Sequence, residues 1–171
     1  IDLEGLANHK GSSFGALGQK PQPTYEQFEN ELAVQWSSFD SQNILWLENE
    51  SRAIGQVKIP DSLFKVIQEA PLIDVEVPKA IRAQRILNEY GHFSSVELAE
   101  CTARLKKRLG GLRTQQALTA LEEKNYDEWV EILLEYYDNT YSFGNAERKN
   151  SKIVILEMTP GETHFDFSKR I

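Results

Sequence analysis

The chain opens with IDLEGLANHKGSSFG, residues 1–15, and the reading of this stretch sets the reading of the rest. Ile1 and Leu3 alternate with Asp2 and Glu4, which predicts a short strand, Ile1–Glu4, ending in acids. It runs into a loop of His9, Lys10, Gly11, Ser12, Ser13 and Gly15. A strand needs no such ending to fold. Small residues and a cation after a strand are the composition that sets backbone N–H groups around a phosphate. The alternative is a flexible Gly/Ser loop with incidental charges. GSSFGALGQK, residues 11–20, has the composition of a phosphate-binding P-loop but not its spacing, because G-x-x-x-x-G-K-[ST] occurs nowhere in the chain.

Outward from this stretch, glycines and prolines punctuate residues 5–23 as a loop. Thr24 and Gln27 form a capping-box pair opening a helix, with Tyr25, Phe28, Leu32 and Trp36 near one face. Asn43–Leu47, NILWL, reads as a strand, and ESRAIGQVKIP after it as an extended connector. Pro60 opens a second helix carrying Leu63, Ile67 and Ala70. PLIDVEVP gives a strand over 72–77 between prolines. The second half is helical. One helix covers about 79–91. A second is capped by Ser94 and Glu97, with Leu98, Cys101, Leu105 and Leu109 inward, and stops at Gly110 and Gly111. A third spans 112–123. A fourth is capped by Asn125 and Glu128, and Trp129, Ile132, Leu133, Tyr136 and Tyr137 line its core face. KIVILE, 152–157, is the last strand.

Strands alternating with helices, then a helical insert and a late strand, predict an α/β fold with a parallel sheet. Strands that are apolar runs imply helices on both sheet faces. The expected organisation is one α/β domain over 1–157, with a mainly helical insert at about 79–138, and a tail over 158–171.

A length of 171 residues and 40% hydrophobic content support a core of this size. No apolar run approaches the ~20 residues that span a bilayer. The single cysteine, Cys101, excludes an internal disulfide and a multi-cysteine metal site and suits a reducing cytoplasm. It lies on an apolar helix face and reads as packing. His92 and His164 have no partner at metal spacing. The net charge of −7 argues against uniform coating of nucleic acid. The charge is uneven, however: Lys79–Arg113 holds eight bases and three acids, whereas Leu121–Asp138 holds seven acids and one lysine. The basic set is Arg82, Arg85, Arg104, Lys106, Lys107, Arg108 and Arg113. Arg82 and Arg85, three apart on one helix, suit bidentate phosphate contact. The plain alternative for RLKKR is a solvated helix face. Glu48 and Glu50 leave a predicted strand at its C-terminal end, where α/β folds bind ligands. They are candidates to hold Mg2+ through water or to orient a nucleophile, or else are solvated turn acids. Tyr136 and Tyr137 fall on the core face. Tyr141 is less constrained and is available to stack on a base.

Four blocks together resemble one family. DLEGLANHKGSSFG at 2–15, FENEL at 28–32, WLENESRAIGQVKIP at 46–60 and LLEYYDNTY at 133–141 are similar to blocks of tRNA 2-selenouridine synthases, downstream of their P-loop segment. The resemblance implies a partial P-loop-NTPase-like parallel sheet with flanking helices. It also implies an enzyme that converts the wobble 2-thiouridine of tRNA to 2-selenouridine through a geranylated intermediate. Its substrates would be geranyl diphosphate and selenophosphate, with no firm cofactor and with Mg2+ as a candidate. The catalytic cysteine would lie in a rhodanese domain, in the same protein or a separate subunit. On this reading tRNA is the partner, no membrane is involved and the location is cytoplasmic. His9, Lys10, Gly11, Ser12, Arg82 and Arg85 would face the diphosphate or the tRNA. Asp2, Glu4, Glu48 and Glu50 would be acid or Mg2+-linked, and Phe14 and Tyr141 would contact the base or the prenyl chain. The Walker A loop and the rhodanese domain are not in this sequence. The expectation is therefore that a central strand between 43–47 and 72–77 comes from residues upstream of Ile1, and that this chain alone is inactive. Two other classes stay open: a kinase-like P-loop NTPase with Glu48 near Mg2+, and a non-catalytic module whose acidic helix 121–138 docks a partner.

Overall fold

A computed structural model describes residues 1–148 and 152–159. It is a mixed α/β structure that divides into two compact units, Ile1–Ala70 and a second beginning at Pro71. The tail expected over 158–171 lies outside the described residues from Pro160 onward.

The first unit corrects the reading of the opening stretch. Residues 1–4 are not a strand. Helix α1 spans Leu3–Ala7, and Asp2 is its N-cap, with its Oδ1 accepting from Gly5 N at 2.6 Å. Alternation over four residues is too short to outweigh an aspartate positioned to satisfy a helix N-terminus. Asn8, with φ 48°, closes α1 in the left-handed region. Helix α2, Tyr25–Ser37, starts at Thr24 as expected. Only half of its capping box forms, because Gln27 Nε2 donates to Glu31 rather than returning to the cap. Phe28 and Leu32 are buried, whereas Tyr25 and Trp36 are exposed.

The second predicted strand is also absent. Residues 43–47 form no ladder, and Ile44 is 81% exposed. An apolar run becomes a strand only with a neighbour to pair with, and the described residues supply none here. The supposed connector is instead a hairpin, β1 (Ala53–Ile54) and β2 (Val57–Lys58), antiparallel with Ile54 opposite Val57. Its two-residue turn places Gly55 at φ +61° and leaves Gln56 at negative φ, the II′ pattern that matches strand twist. Helix α3, Asp61–Glu69, follows Pro60. The core joins Leu3 and Ala7 to Phe28, Leu32, Ile54, Val57, Ile59 and Ile67.

In the second unit, β3 (Leu72–Glu76) and β4 (Ile153–Glu157) pair in parallel, Leu72 opposite Ile153 through Glu76 opposite Glu157. The parallel sheet of the sequence reading is thus present with two strands. Val75 and Ile155 are exposed, at 42% and 56%, so the expected cover of helices on both faces is not complete. Between the strands run α4 (Lys79–Tyr90), α5 (Ser95–Arg104), α6 (Lys106–Leu109), α7 (Gly111–Glu122) and α8 (Tyr126–Glu147). The Ser94–Glu97 capping box forms in both directions. Helix α7 packs on α5 and α8, and α8 on α4. Leu98, Cys101, Leu105, Leu121, Trp129 and Leu133 form the buried interior. Cys101 is a packing residue, and burial raises its thiol pKa.

One polar chain crosses that interior. The Trp129 indole donates to Thr102 Oγ1 at 3.1 Å, and the hydroxyl donates to the Leu98 carbonyl at 2.8 Å. Thr102→Val removes the hydroxyl that links the Trp129 indole to the Leu98 carbonyl and is expected to cost about 1–3 kcal/mol. Trp129→Phe removes the donor of the same bond, so the double variant should lose less than the sum of the two single losses. Urea unfolding followed by far-UV circular dichroism measures the cycle.

Candidate functional site

The opening loop, the start of α1 and residues 46–50 meet in the first unit. Four acids gather there in distinct roles. Asp2 caps α1 from within. Glu48 Oε2 accepts from Leu3 N at 2.9 Å, satisfying a second N-terminal amide of the same helix. The Ile1 backbone nitrogen donates to the Trp46 carbonyl at 2.8 Å, which holds the 43–47 backbone beside α1. The Asp2 and Glu48 contacts are charge-assisted bonds to a helix N-terminus.

Glu4 and Glu50 make the second pair. Their carboxyl groups lie within hydrogen-bonding reach of each other, an arrangement that favours keeping a proton on one of them. Burial first, then the Glu50 charge, pushes the Glu4 pKa from 4.5 up to about 7. Burial also raises Glu50. The two carboxyls therefore titrate as one system. Gly11 sits at φ +59° against this pair, and a Cβ there would meet the Glu50 carboxyl. A side chain at position 11 would strain the backbone and push the Glu50 carboxyl from its place.

The loop itself is closely built. Lys10 N donates to Gly15 O and Gly15 N to Ser12 O, both at 3.0 Å, and Ser12 Oγ accepts from Phe14 N at 3.2 Å. The His9 ring lies against Gly15 and Gly55, where any Cβ would approach it within 2.8 Å. Its Nδ1 is buried with no partner among the described residues, and burial lowers its pKa, so His9 is neutral at pH 7. Phe14 is buried at 5% exposure and packs within the unit.

The sequence reading missed the residue that ties the loop down. Gln22 Nε2 donates to the carbonyls of Ala7 (3.0 Å) and Ile54 (2.9 Å), and its Oε1 accepts from Gln56 N at 2.8 Å. A lone amide between Pro21 and Pro23 was the available signal, since its flanking prolines donate no backbone N–H. The structure thus brings Asp2, Glu4, Glu48, Glu50, His9, Lys10, Gly11, Ser12 and Phe14 into one unit. Among the described residues no set of three or more His, Cys, Asp or Glu is arranged to hold a metal. Glu48 Oε2 accepts from Leu3 N, and Glu4 lies against Glu50.

Arg82, Arg85 and Tyr141 belong to the second unit. Arg82 makes a bidentate pair with Asp138, its Nη2 at 3.0 Å, and its Nε donates to the Val77 carbonyl. That guanidinium is already matched to a carboxylate. With Tyr141, Asp74 and Asn145 it borders a cleft of about 470 Å3 at the end of β3. Asn145 Nδ2 donates to Asp74 at 2.7 Å.

The model of the tRNA 2-selenouridine synthase AAA domain matches residues 1–101. The chain belongs to that family. It is 34% identical to the tRNA 2-selenouridine synthase of Shewanella frigidimarina over 186 residues, covering 91% of this chain and 50% of that protein. It is 35% identical to the Hydrogenovibrio crunogenus synthase, over 90% of this chain and 48% of that protein. The Sulfurovum synthase is 34% identical, over 91% of this chain and 50% of its own length. The chain spans about half the length of the curated relatives it matches. No solved structure matches. No helix among the described residues of this synthase-family chain is long and apolar enough to cross a membrane.

The shared proton has a sign. A carboxyl whose pKa rises on folding contributes stability that is complete below its unfolded value, near 4.5, and is lost as pH climbs through about 7. Melting temperature should therefore fall between about pH 5 and about pH 8. Glu4→Gln should flatten that slope and raise the melting temperature at the alkaline end, read by differential scanning fluorimetry.

Proposed function

We propose that this chain is the AAA-domain part of a tRNA 2-selenouridine synthase and takes part in converting wobble 2-thiouridine to 2-selenouridine through a geranylated intermediate. The observation that carries this reading is the family match over residues 1–101, which includes the whole acidic corner and opening loop. In the full enzyme, geranyl diphosphate and selenophosphate are the donors, and a rhodanese domain supplies the catalytic cysteine. In this reading the fold is P-loop-like, the protein works in the cytoplasm, and the role of this chain is to bind the diphosphate, the tRNA or both.

The loop at 9–15 suits a diphosphate. Gly11 takes a conformation that turns the backbone sharply, and Lys10 adds a positive charge beside it. The neighbouring acids oppose an anion, and the proton between Glu4 and Glu50 removes one of their negative charges below about pH 7. His9, being neutral, contributes shape and a ring nitrogen rather than charge. No step is assigned to Mg2+. The docking-module alternative is weakened by α8 itself, because Glu131, Glu135 and Asp138 pair within the chain with Lys79, Arg113 and Arg82.

Nucleoside mass spectrometry of bulk tRNA tests the reading. Deleting the gene should remove 2-selenouridine and leave 2-thiouridine or its geranylated form in place. An unchanged nucleoside profile would refute it. In the complete enzyme, Lys10→Ala should weaken geranyl diphosphate or tRNA binding about tenfold, the scale of one charge-assisted contact. Unchanged affinity for both ligands would remove the anion role from the loop.

A further inference from the structure

The ion pairs of α8 leave an imbalance. Its acids Glu131, Glu135 and Asp138 are each matched by a base from α4 or α7. The bases Arg104, Lys106, Lys107 and Arg108 have no ion-pair partner among the described residues, and all four are exposed. The cationic run at the α5–α6 corner is therefore uncompensated, although the chain as a whole is acidic.

That corner opens onto a groove of about 780 Å3 bounded by α6, α7 and α8. Arg108 and Arg113 stand on one side. Tyr136, Asn139 and Phe143, at successive turns of α8, line the other. Phe143 is 65% exposed, so its ring is open to a partner within the groove. Glu135 also lines the groove, but its carboxylate is held by Arg113. Cations at the rim, aromatic faces on the floor and an amide between them are what an unpaired nucleotide needs. Phosphates meet Arg108 and the two lysines, a base stacks on Phe143 or Tyr136, and Asn139 can donate to and accept from its edge.

From this we infer that the α6–α7–α8 groove binds unpaired RNA, taking one or more unstacked nucleotides with Arg108, Lys106 and Lys107 on the backbone and Phe143 under a base. The inference rests on the tRNA reading above and adds a location that the family match does not give. The match ends at residue 101, before every residue of this groove.

The test uses the full chain and two probes: a synthetic anticodon stem-loop with wobble 2-thiouridine, and a blunt RNA duplex of equal length. The stem-loop should bind more tightly. Lys106→Ala/Lys107→Ala/Arg108→Ala should weaken it at least tenfold and reduce the slope of log affinity against log salt by about 2, the counterion release of three phosphate contacts. Phe143→Ala should cost roughly tenfold on the stem-loop and leave the duplex unaffected. The charge-keeping triple exchange Lys106→Arg/Lys107→Arg/Arg108→Lys should bind like the parent. Lys58→Ala/Lys65→Ala in the first unit should change nothing. Parental affinity and salt slope in both the triple alanine variant and Phe143→Ala would overturn the inference. If gene deletion still abolishes 2-selenouridine in that case, the family reading stands and the groove alone is wrong. Absence of stem-loop binding by the parent protein would overturn the groove as well. Anionic-vesicle binding lost in the triple variant, with RNA affinity retained, would make the patch a membrane surface and equally overturn it.

Discussion

The first unit depends on four carboxylates crowded at the start of a five-residue helix. A helix this short has little stability of its own, because nucleation costs more than one turn returns. It persists because Asp2 and Glu48 accept its first amides and because Leu3 and Ala7 are buried beneath it. Glu48 comes from a segment with no ladder of its own, so the same contact that completes α1 also fixes residues 46–50. Glu50 then falls beside Glu4, and the repulsion is resolved by retaining a proton. Gly11 passes over that pair because it carries no side chain. The loop, the helix and the extended segment are consequences of one electrostatic arrangement.

The sequence was legible where the signal was local and repeated. Helices α2, α3, α4 and α7 lie where periodicity and capping residues put them, and α5 and α8 start at their caps; the helix expected from Ser94 to Leu109 breaks at Leu105 into α5 and α6, and α8 runs on past 138 to Glu147. Strands β3 and β4 were legible as apolar runs between breakers. The failures share one cause. Ile1–Glu4 and NILWL were read as strands from a few apolar residues, but strand formation depends on a partner, and a short run cannot say whether one exists. The hairpin at 53–58 was the reverse case. Its two-residue strands are too short for a periodic signal, and only Gly55 at the turn marked them. Among the site residues, the nearness of Glu4 to Glu50 and of Gln22 to Ile54 is tertiary and has no trace in spacing.

Charge is sorted in the second unit rather than merely mixed. Three of the seven acids read in Leu121–Asp138, Glu131, Glu135 and Asp138, are paired from inside the chain by bases of α4 and α7. Arg82, which looked available for phosphate from its place on α4, is held by Asp138. The uncompensated cations are those of the RLKKR corner, which by sequence alone looked like an ordinary solvated face. Pairing patterns, invisible in composition, decide which charges remain for a partner. They move the candidate nucleic-acid surface from Arg82 towards Arg108 and Phe143. The family match over residues 1–101 covers the first unit with its acidic corner and runs on into the second as far as α5. The helical half, beyond that match, carries the surface best suited to RNA.

The close approach of Glu4 and Glu50 ties the opening loop, α1 and residues 46–50 together, and carbon-13 NMR of the glutamate carboxyl carbons measures the proton it retains. A pH titration of the full chain should show one carboxyl titrating near pH 7, where burial and the Glu50 charge push Glu4, and that titration should disappear in Glu4→Gln and move to lower pH in Glu50→Gln. Glutamates that all titrate near the ordinary value of 4.5 would contradict the shared proton, and with it the explanation for how the opening loop closes over its acids.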